Sequence, residues 1–317
     1  MVQENKKRLI IIDSNSLIHR AFHALPPLRT KKGELINAVY GFLLVFLKAI
    51  KEFRPDFVIA VFDAPGPTFR HRKFKEYKAK RPKAPEELLS QIPKVKEILK
   101  GFGVEILEKQ GFEADDLIGT VSKKAPKKQV FPKLETVILS GDLDILSLVD
   151  KNTKVYILRK GVKDTVLYDQ EKVKEKYEGL IPVQLFDFKA LRGDPSDNIP
   201  GVSGIGEKTA ISLIKEFGSL ENLYEKLEKN IVGANKIKPS LKEKLLNSKE
   251  AAFFSKELAK INCGVPIKFD LEKSRWGGYN EKKIRELFEK YDFQSLIPRL
   301  YEIKKEQGKE KNNLTLL

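Results

Sequence analysis

The chain contains one cysteine, three histidines, one methionine and one tryptophan among 317 residues. A single thiol, Cys263, excludes an internal disulfide and cysteine-ligated zinc, and reads as a small, partly buried apolar residue. The histidines, His19, His23 and His71, are too few and too scattered for a histidine-ligated metal centre. Long hydrophobic runs are also missing. The strongest, Ala38 to Ile50, contains Tyr40 and Lys48 and falls well short of the roughly 20 residues of a membrane span. The lysine-rich start runs directly into Leu9-Ile10-Ile11-Ile12, which is too short for a signal-peptide core and has no small-residue cleavage site. A cytoplasmic place with no membrane partner is therefore expected.

What is present is positive charge. Sixty Lys and Arg face 44 Asp and Glu, for a formal charge of +16, while 41% hydrophobic content marks an ordinary folded chain. The excess favours a polyanionic partner, nucleic acid before an anionic membrane surface; the bland alternative is a composition that keeps the chain in solution. Against this background stand nine acids in five short clusters: Asp13, Asp63, Glu113-x-Asp115-Asp116, Asp142-x-Asp144 and Asp194-x-x-Asp197. Singly, each reads as a helix cap or a turn residue. Jointly they do not, because several close apolar runs where solvation is poor. Brought together, they repel one another unless cations bind between them. Carboxylates without His or Cys suit Mg²⁺ or Mn²⁺. So many of them suit two ions, one activating an attacking water and one stabilising the leaving oxygen of a phosphodiester.

Periodicity predicts an α/β fold with a mostly parallel central sheet flanked by helices. Strands are expected at Leu9–Ile12, Asp56–Phe62, Val104–Ile106, Thr136–Leu139 and Lys154–Leu158, and helices at Ala38–Lys51, Glu86–Lys100 and Phe112–Val121. Asp13, Asp63 and Asp142 follow three of the strands, at the carboxyl ends where such sheets bind ligands. Residues 65–85 form a basic segment carrying Arg70, Lys78 and Arg81, with Phe69, Phe74 and Tyr77 as stacking-capable rings. Lys78, Arg81 and, beyond Asp13, Arg20 are candidates to stabilise a scissile phosphate. Ser122–Lys133 reads as a Lys/Pro-rich surface loop, and strands stop near Val183. The domain reading is 1–182 for an α/β core with a basic arch at about 65–110, 183–303 for a helical region, and 304–317 for a polar tail.

A second signal follows Asp197. Gly201, Val202, Ser203, Gly204, Ile205, Gly206, Lys208 and Thr209 make a glycine hairpin opening a helix. This fits a helix–hairpin–helix element, at about 185–225, that grips duplex backbone without reading sequence.

With these residues in place, the chain resembles the 5′-nuclease domain of bacterial DNA polymerase I and, more broadly, the flap endonuclease family. The motifs run in family order from Leu9 to Leu300: Ile12-Asp13, Arg20-Ala21-Phe22-His23, Phe62-Asp63-Ala64, Phe69-Arg70-His71, Tyr77-Lys78-Ala79-Lys80-Arg81, Phe112-Glu113-Ala114-Asp115-Asp116, Ser140-Gly141-Asp142-Leu143-Asp144 and Arg192-Gly193-Asp194-Pro195-Ser196-Asp197. The resemblance implies a PIN-like, resolvase-like fold with a helical arch, and removal of nucleotides, flaps and RNA primers from 5′ ends. It implies one Mg²⁺ or Mn²⁺ on Asp13, Asp63, Glu113, Asp115 and Asp116, and a second on Asp142, Asp144, Asp194 and Asp197. It assigns Arg70, Lys78 and Arg81 to the phosphate and 5′ strand, and a K⁺ to hairpin carbonyls near Val202, Ser203 and Ile205. A monomer acting on branched or 5′-ended duplex DNA and RNA–DNA primer junctions, beside a DNA polymerase, is the expectation. The alternatives are a catalytically silent binder of branched DNA on the same scaffold, and a PIN-like RNA nuclease.

Overall fold

Runs of β-branched and aliphatic residues fold into a six-stranded sheet in the computed structural model, which describes residues 6–127, 134–159, 161, 164–229 and 237–303. The strands are β1 (Lys7–Asp13), β2 (Phe57–Val61), β3 (Glu105–Leu107), β4 (Leu134–Ser140), β5 (Thr153–Leu158) and β6 (Thr165–Tyr168). Their order is β3-β2-β1-β4-β5-β6, parallel except for β6, which returns antiparallel along β5. β1 lies between β2 and β4, with Asp13 level with Val61 and Ile12 level with Leu139.

A strand buried on both faces needs apolar residues at every position, and Leu9 to Ile12 supply them. Leu9 and Ile11 enter one core, and Ile10 and Ile12 the other. The helices before β6 are α1 (Ser14–Ala24), α2 (Asn37–Phe53), α3 (Phe69–Lys73), α4 (Glu86–Leu89), α5 (Ile92–Gly101) and α6 (Ala114–Lys124). α2 and α5 cover one face and α6 the other. After β6 come α7 (Gln170–Lys176), α8 (Leu185–Arg192), α9 (Glu207–Phe217), α10 (Leu220–Glu228), α11 (Pro239–Asn247), α12 (Lys249–Ala259) and α13 (Glu281–Lys290). α8 to α10 extend the α6 core, whereas α13 crosses back to the face covered by α2 and α5.

Two expectations need correction. The single helix expected over Glu86–Lys100 is two helices broken at Ser90-Gln91. Pro93 cannot sit in a helix interior and instead occupies the first turn of α5. The break also frees buried Gln91 to accept from the backbone N–H of Ala38 at 2.8 Å, at the start of α2. Ser122 to Lys124, read as loop, continue α6, and 125–127 form a 3-10 turn. Ser122 and Ala125 are buried there, with Ser122 Oγ donating to the carbonyl of Gly119 at 2.9 Å. The rest of that stretch, 128–133, and the tail 304–317 lie outside the described residues. Strand β6 and helix α7 were not foreseen.

α8 stops at Gly193, whose φ of 77° only glycine adopts readily. The next residues form a tight turn in which Asp194 and Ile199 exchange two backbone hydrogen bonds of 2.9 Å. A Cβ on Gly193 would lie 2.8 Å from the carbonyl oxygens of Ile199 and Pro200. Gly33, at φ 85°, has the same backbone bias but nothing within 4 Å of a Cβ. Gly193→Ala should therefore lose about 3 kcal/mol in urea denaturation and Gly33→Ala about 1 kcal/mol. Equal losses would show that the turn yields freely.

Candidate active site

The strand sequence reverses between β1 and β4, so their carboxyl ends open a crevice at the switch point of the sheet. Asp13 closes β1, Asp63 follows β2, Asp142 follows β4, and Asp115 lies in the first turn of α6. All four, with Glu113, line one cavity of about 410 Å³. Arg20, Lys78, Arg81, His19 and His23 complete its walls.

Two serines hold the two strand ends together. Ser140 Oγ donates to Asp13 Oδ2 at 2.6 Å and accepts from the N–H of Asp142 at 2.9 Å. Ser16 Oγ lies 3.1 Å from Ser140 Oγ and accepts from the N–H of Gly141 at 2.9 Å. Asp13 also caps α1, accepting from the Ser16 N–H at 3.3 Å. Asp63 accepts from the N–H of Ala114 at 2.8 Å, which ties β2 to the start of α6. Sequence reasoning passed over Ser16 and Ser140. Their signal was a serine two or three residues from the acid at each strand end, Ser16 after Asp13 and Ser140 before Asp142.

The electrostatics record unmet negative charge. Burial pushes the Asp13 carboxyl up to about 6, against hydrogen bonds from Ser140 and Ser16, and Asp142 and Asp63 add repulsion. Burial, then Asp13 and Asp142, drives Asp115 well above the usual carboxylate range, and burial also raises Asp63. Glu113 shifts the other way: burial would raise it, but Lys78 and Arg70 hold it below its ordinary value.

Asp144, Asp194 and Asp197 form a neighbouring group, with one oxygen from each within 4.8 Å of the others. The N–H of Asp144 donates to Asp142 Oδ1 at 2.9 Å, linking this group to the first. Burial and Asp142 raise Asp144 to about 6. In Asp194, burial is outweighed by Lys189 and Ser196, which bring it to about 2. Lys189, also missed in the sequence, places Nζ 2.6 Å from Asp194 Oδ2 and pairs with Asp144 as well. Its signal was a cation in α8 five residues before Asp194.

Segment 74–81 docks on the acidic turn. The N–H of Lys78 donates to the Asp197 carbonyl at 2.9 Å, and Asn198 Nδ2 to the Glu76 carbonyl at 2.8 Å. Lys78 Nζ lies 2.7 Å from Glu113 and 3.8 Å from Asp197, and Arg81 pairs with Asp197. Arg20 donates to the Gly141 carbonyl at 2.7 Å.

Three expected roles are corrected by this geometry. Arg70 is 2% exposed; it spans both oxygens of Asp116 at 2.8 and 2.9 Å and donates to the carbonyls of Leu258 and Lys260. It cannot reach a phosphate. Asp116, fully buried, also accepts from the N–H groups of Glu113 and Asn262, which leaves no lone pair facing the cavity for a metal. Tyr77 is buried and donates to Glu113 at 3.0 Å and Asp197 at 3.2 Å, so its ring is no stacking platform for a base. Phe74 is engaged edge-on by Phe254 at 5.5 Å between ring centres, within a small apolar cluster.

The glycine hairpin turns through Gly201 and Gly204, at φ 65° and 75°. Val202 and Ile205 are buried, whereas Ser203, Gly204, Gly206 and Lys208 are exposed and Thr209 half-buried. α9 starts at Gly206 without a side-chain cap, leaving its first N–H groups free of side-chain acceptors.

The donor set fits hard cations: the two groups are carboxylate throughout, and a spherical cation would offset the desolvation, and with it the repulsion, that raises Asp13, Asp115 and Asp144. Among the described residues no helix is long and apolar enough to cross a membrane.

Comparison with known proteins agrees with this architecture. The family model for the 5′-3′ exonuclease N-terminal resolvase-like domain matches residues 8–178, and that for the 5′-3′ exonuclease C-terminal SAM fold matches 180–282. The chain belongs to the 5′-3′ exonuclease family, a family of nucleases. It is 44% identical to DNA polymerase I of Bacillus subtilis over 94% of this chain and 32% of the relative. Thermostable DNA polymerase I of Thermus thermophilus is 41% identical over 93% of this chain and 33% of the relative. The chain thus spans about a third of the length of the curated relatives it matches. Its fold is similar to T5 5′-exonuclease with bound zinc, at a TM-score of 0.66 and 20% identity, covering 89% of this chain and 99% of that one. It is also similar to the catalytic core of Rad2 in complex with DNA substrate, at 0.58 and 19%, covering 93% of each.

Arg70→Ala would strand Asp116 as a buried unpaired charge and should cost about 3–5 kcal/mol of folding stability. Arg72→Ala, two residues on and exposed, should change it by less than about 0.5 kcal/mol. Denaturant titration separates the two, and similar small losses would return Arg70 to the surface.

Proposed function

We propose that the chain is a structure-specific 5′ nuclease that hydrolyses phosphodiester bonds at 5′ ends and 5′ flaps of branched duplex DNA, and at RNA–DNA primer junctions. The observation that carries this reading is the convergence of Asp13, Asp63, Asp115 and Asp142 on one cavity bordered by Lys78, Arg81 and Arg20. Support comes from the family match and from two proteins of similar fold, an exonuclease with bound divalent ions and the catalytic core of Rad2 on DNA substrate.

The chain's own residues divide the work. Asp13, Asp63, Asp115 and Glu113 would hold one Mg²⁺ or Mn²⁺, and Asp142, Asp144, Asp194 and Asp197 a second. Bound ions would supply positive charge to the attacking water and the leaving oxygen. Lys78 and Arg81, now paired with Glu113 and Asp197, are placed to exchange those carboxylates for a phosphate once ions neutralise the acids. Arg20 holds the opposite wall through Gly141. The exposed tip of the hairpin and the uncapped start of α9 would take the duplex backbone, with Lys208 and Thr209 beside it. A K⁺ held by carbonyls near Val202, Ser203 and Ile205 would add to that grip. In this reading residues 1–182 form the nuclease core, 183–303 the duplex-binding region and 304–317 a tail, and the protein acts as a cytoplasmic, nucleoid-associated monomer beside a DNA polymerase.

Cleavage of a labelled 5′-flap duplex in Mg²⁺ tests the reading, with a flap of RNA in parallel. Asp142→Ala should lower the rate by at least about 100-fold and Arg81→Ala by roughly 10–100-fold, with branched-DNA binding kept. Binding without turnover in Mg²⁺ or Mn²⁺ would make the protein a silent DNA-structure binder.

A further inference from the structure

Lys189 is the cation that the two-ion reading leaves without a role. It sits on α8, its side chain is 16% exposed, and it bridges Asp144 and Asp194, two of the three carboxylates in the second acidic group. The third, Asp197, is met from the other side by Arg81 and Tyr77, with Lys78 at 3.8 Å. In the first group the cations Lys78 and Arg70 pair with Glu113, whereas the Asp13 carboxylate accepts only from the Ser140 hydroxyl and the Ser16 N–H, and among the described residues no ammonium bridges Asp13 and Asp115. The two groups therefore differ: in the second an ammonium bridges two acids, while in the first the cations sit on Glu113 and leave Asp13 and Asp115 unbridged.

We infer that Lys189 is a resident counter-cation that competes with the second divalent ion and sets the concentration at which that site fills. The inference rests on the two-ion reading of the acidic groups. A divalent ion entering between Asp144 and Asp194 must displace the ammonium from both carboxylates, and each pair lost subtracts from the gain of the new one. An ion entering between Asp13 and Asp115 breaks no ion pair to either acid and relieves their mutual repulsion. The chain should thus bind one divalent ion tightly and one weakly, with Lys189 responsible for the difference. The same ammonium keeps the ion-free second group from repelling itself apart.

Titration of the DNA-free full chain with Mn²⁺, followed by calorimetry and by the signal of free Mn²⁺ in electron paramagnetic resonance, tests this. The wild type should show a tight and a weak site. In Lys189→Met the weak site should tighten by at least about tenfold while the tight one stays within about twofold, and Lys189→Arg should keep the wild-type pattern. Melting supplies a readout that mere packing would not move. Lys189→Met should lower Tm without Mn²⁺ and recover more than the wild type when Mn²⁺ is added, whereas a packing role would lower Tm equally in both states. Lys189→Gln repeats the comparison should the Met variant fold poorly. Unchanged affinities in Met and Gln variants overturn the role given to Lys189 and leave the two-ion reading standing. Absence of Mn²⁺ binding in every protein, wild type included, overturns the two-ion reading and this inference with it.

Discussion

Crowding of carboxylates into one cavity is the constraint on which this structure turns. A doubly wound sheet gives one place where neighbouring strands lead away from each other, between β1 and β4, and the chain fills that place with acid. Nothing in packing favours this. Apolar or amide side chains at Asp13 and Asp115 would avoid the desolvation that pushes both carboxyls upward. An arrangement that costs folding stability and persists is the usual mark of a site shaped for chemistry. The local cost is contained by fixed donors: the Ser16–Ser140 pair and the start of α6 hold the acids in place without neutralising them.

Neutralisation comes from elsewhere in the chain and is graded. Arg70 satisfies Asp116 completely and joins α3 and α6 to the stretch after α12, so it belongs to the fold. Lys78 and Arg81 satisfy Glu113 and Asp197 from a segment that carries little regular structure of its own. Lys189 satisfies Asp144 and Asp194 from within α8. The cations thus run from buried to half-exposed, Arg70 least and Arg81 most, and the more exposed ones border the cavity or its neighbour. With a formal charge of +16, the chain keeps a net positive excess after this internal pairing.

Much of the layout was legible in sequence because the sheet announces itself. Apolar runs that end in acid placed Asp13, Asp63 and Asp142 at strand ends, and the structure puts all three in one cavity. The capping role and the chamber role proved compatible for Asp13, which caps α1 and lines the cavity at once. What escaped was decided by partners far along the chain. In a run of cations, Arg70 looks like its neighbours; its burial depends on the Leu258 and Lys260 carbonyls, 188 and 190 residues away. Tyr77 reads as a stacking ring until Glu113 and Asp197 are seen to claim its hydroxyl. Strand β6 has four residues, three of them only half-buried, and so carries no apolar run to betray it. Lys189 and the serine pair left only a residue type beside an acid, a pattern common in any helix or turn.

Anomalous diffraction from a crystal of the DNA-free protein soaked in Mn²⁺ addresses the central claim most directly. The account predicts a peak enclosed by Asp13, Asp63, Asp115 and Asp142 at the carboxyl ends of β1, β2 and β4. Well-ordered carboxylates surrounding that cavity with no anomalous density between them, at Mn²⁺ concentrations that saturate binding in solution, would contradict it.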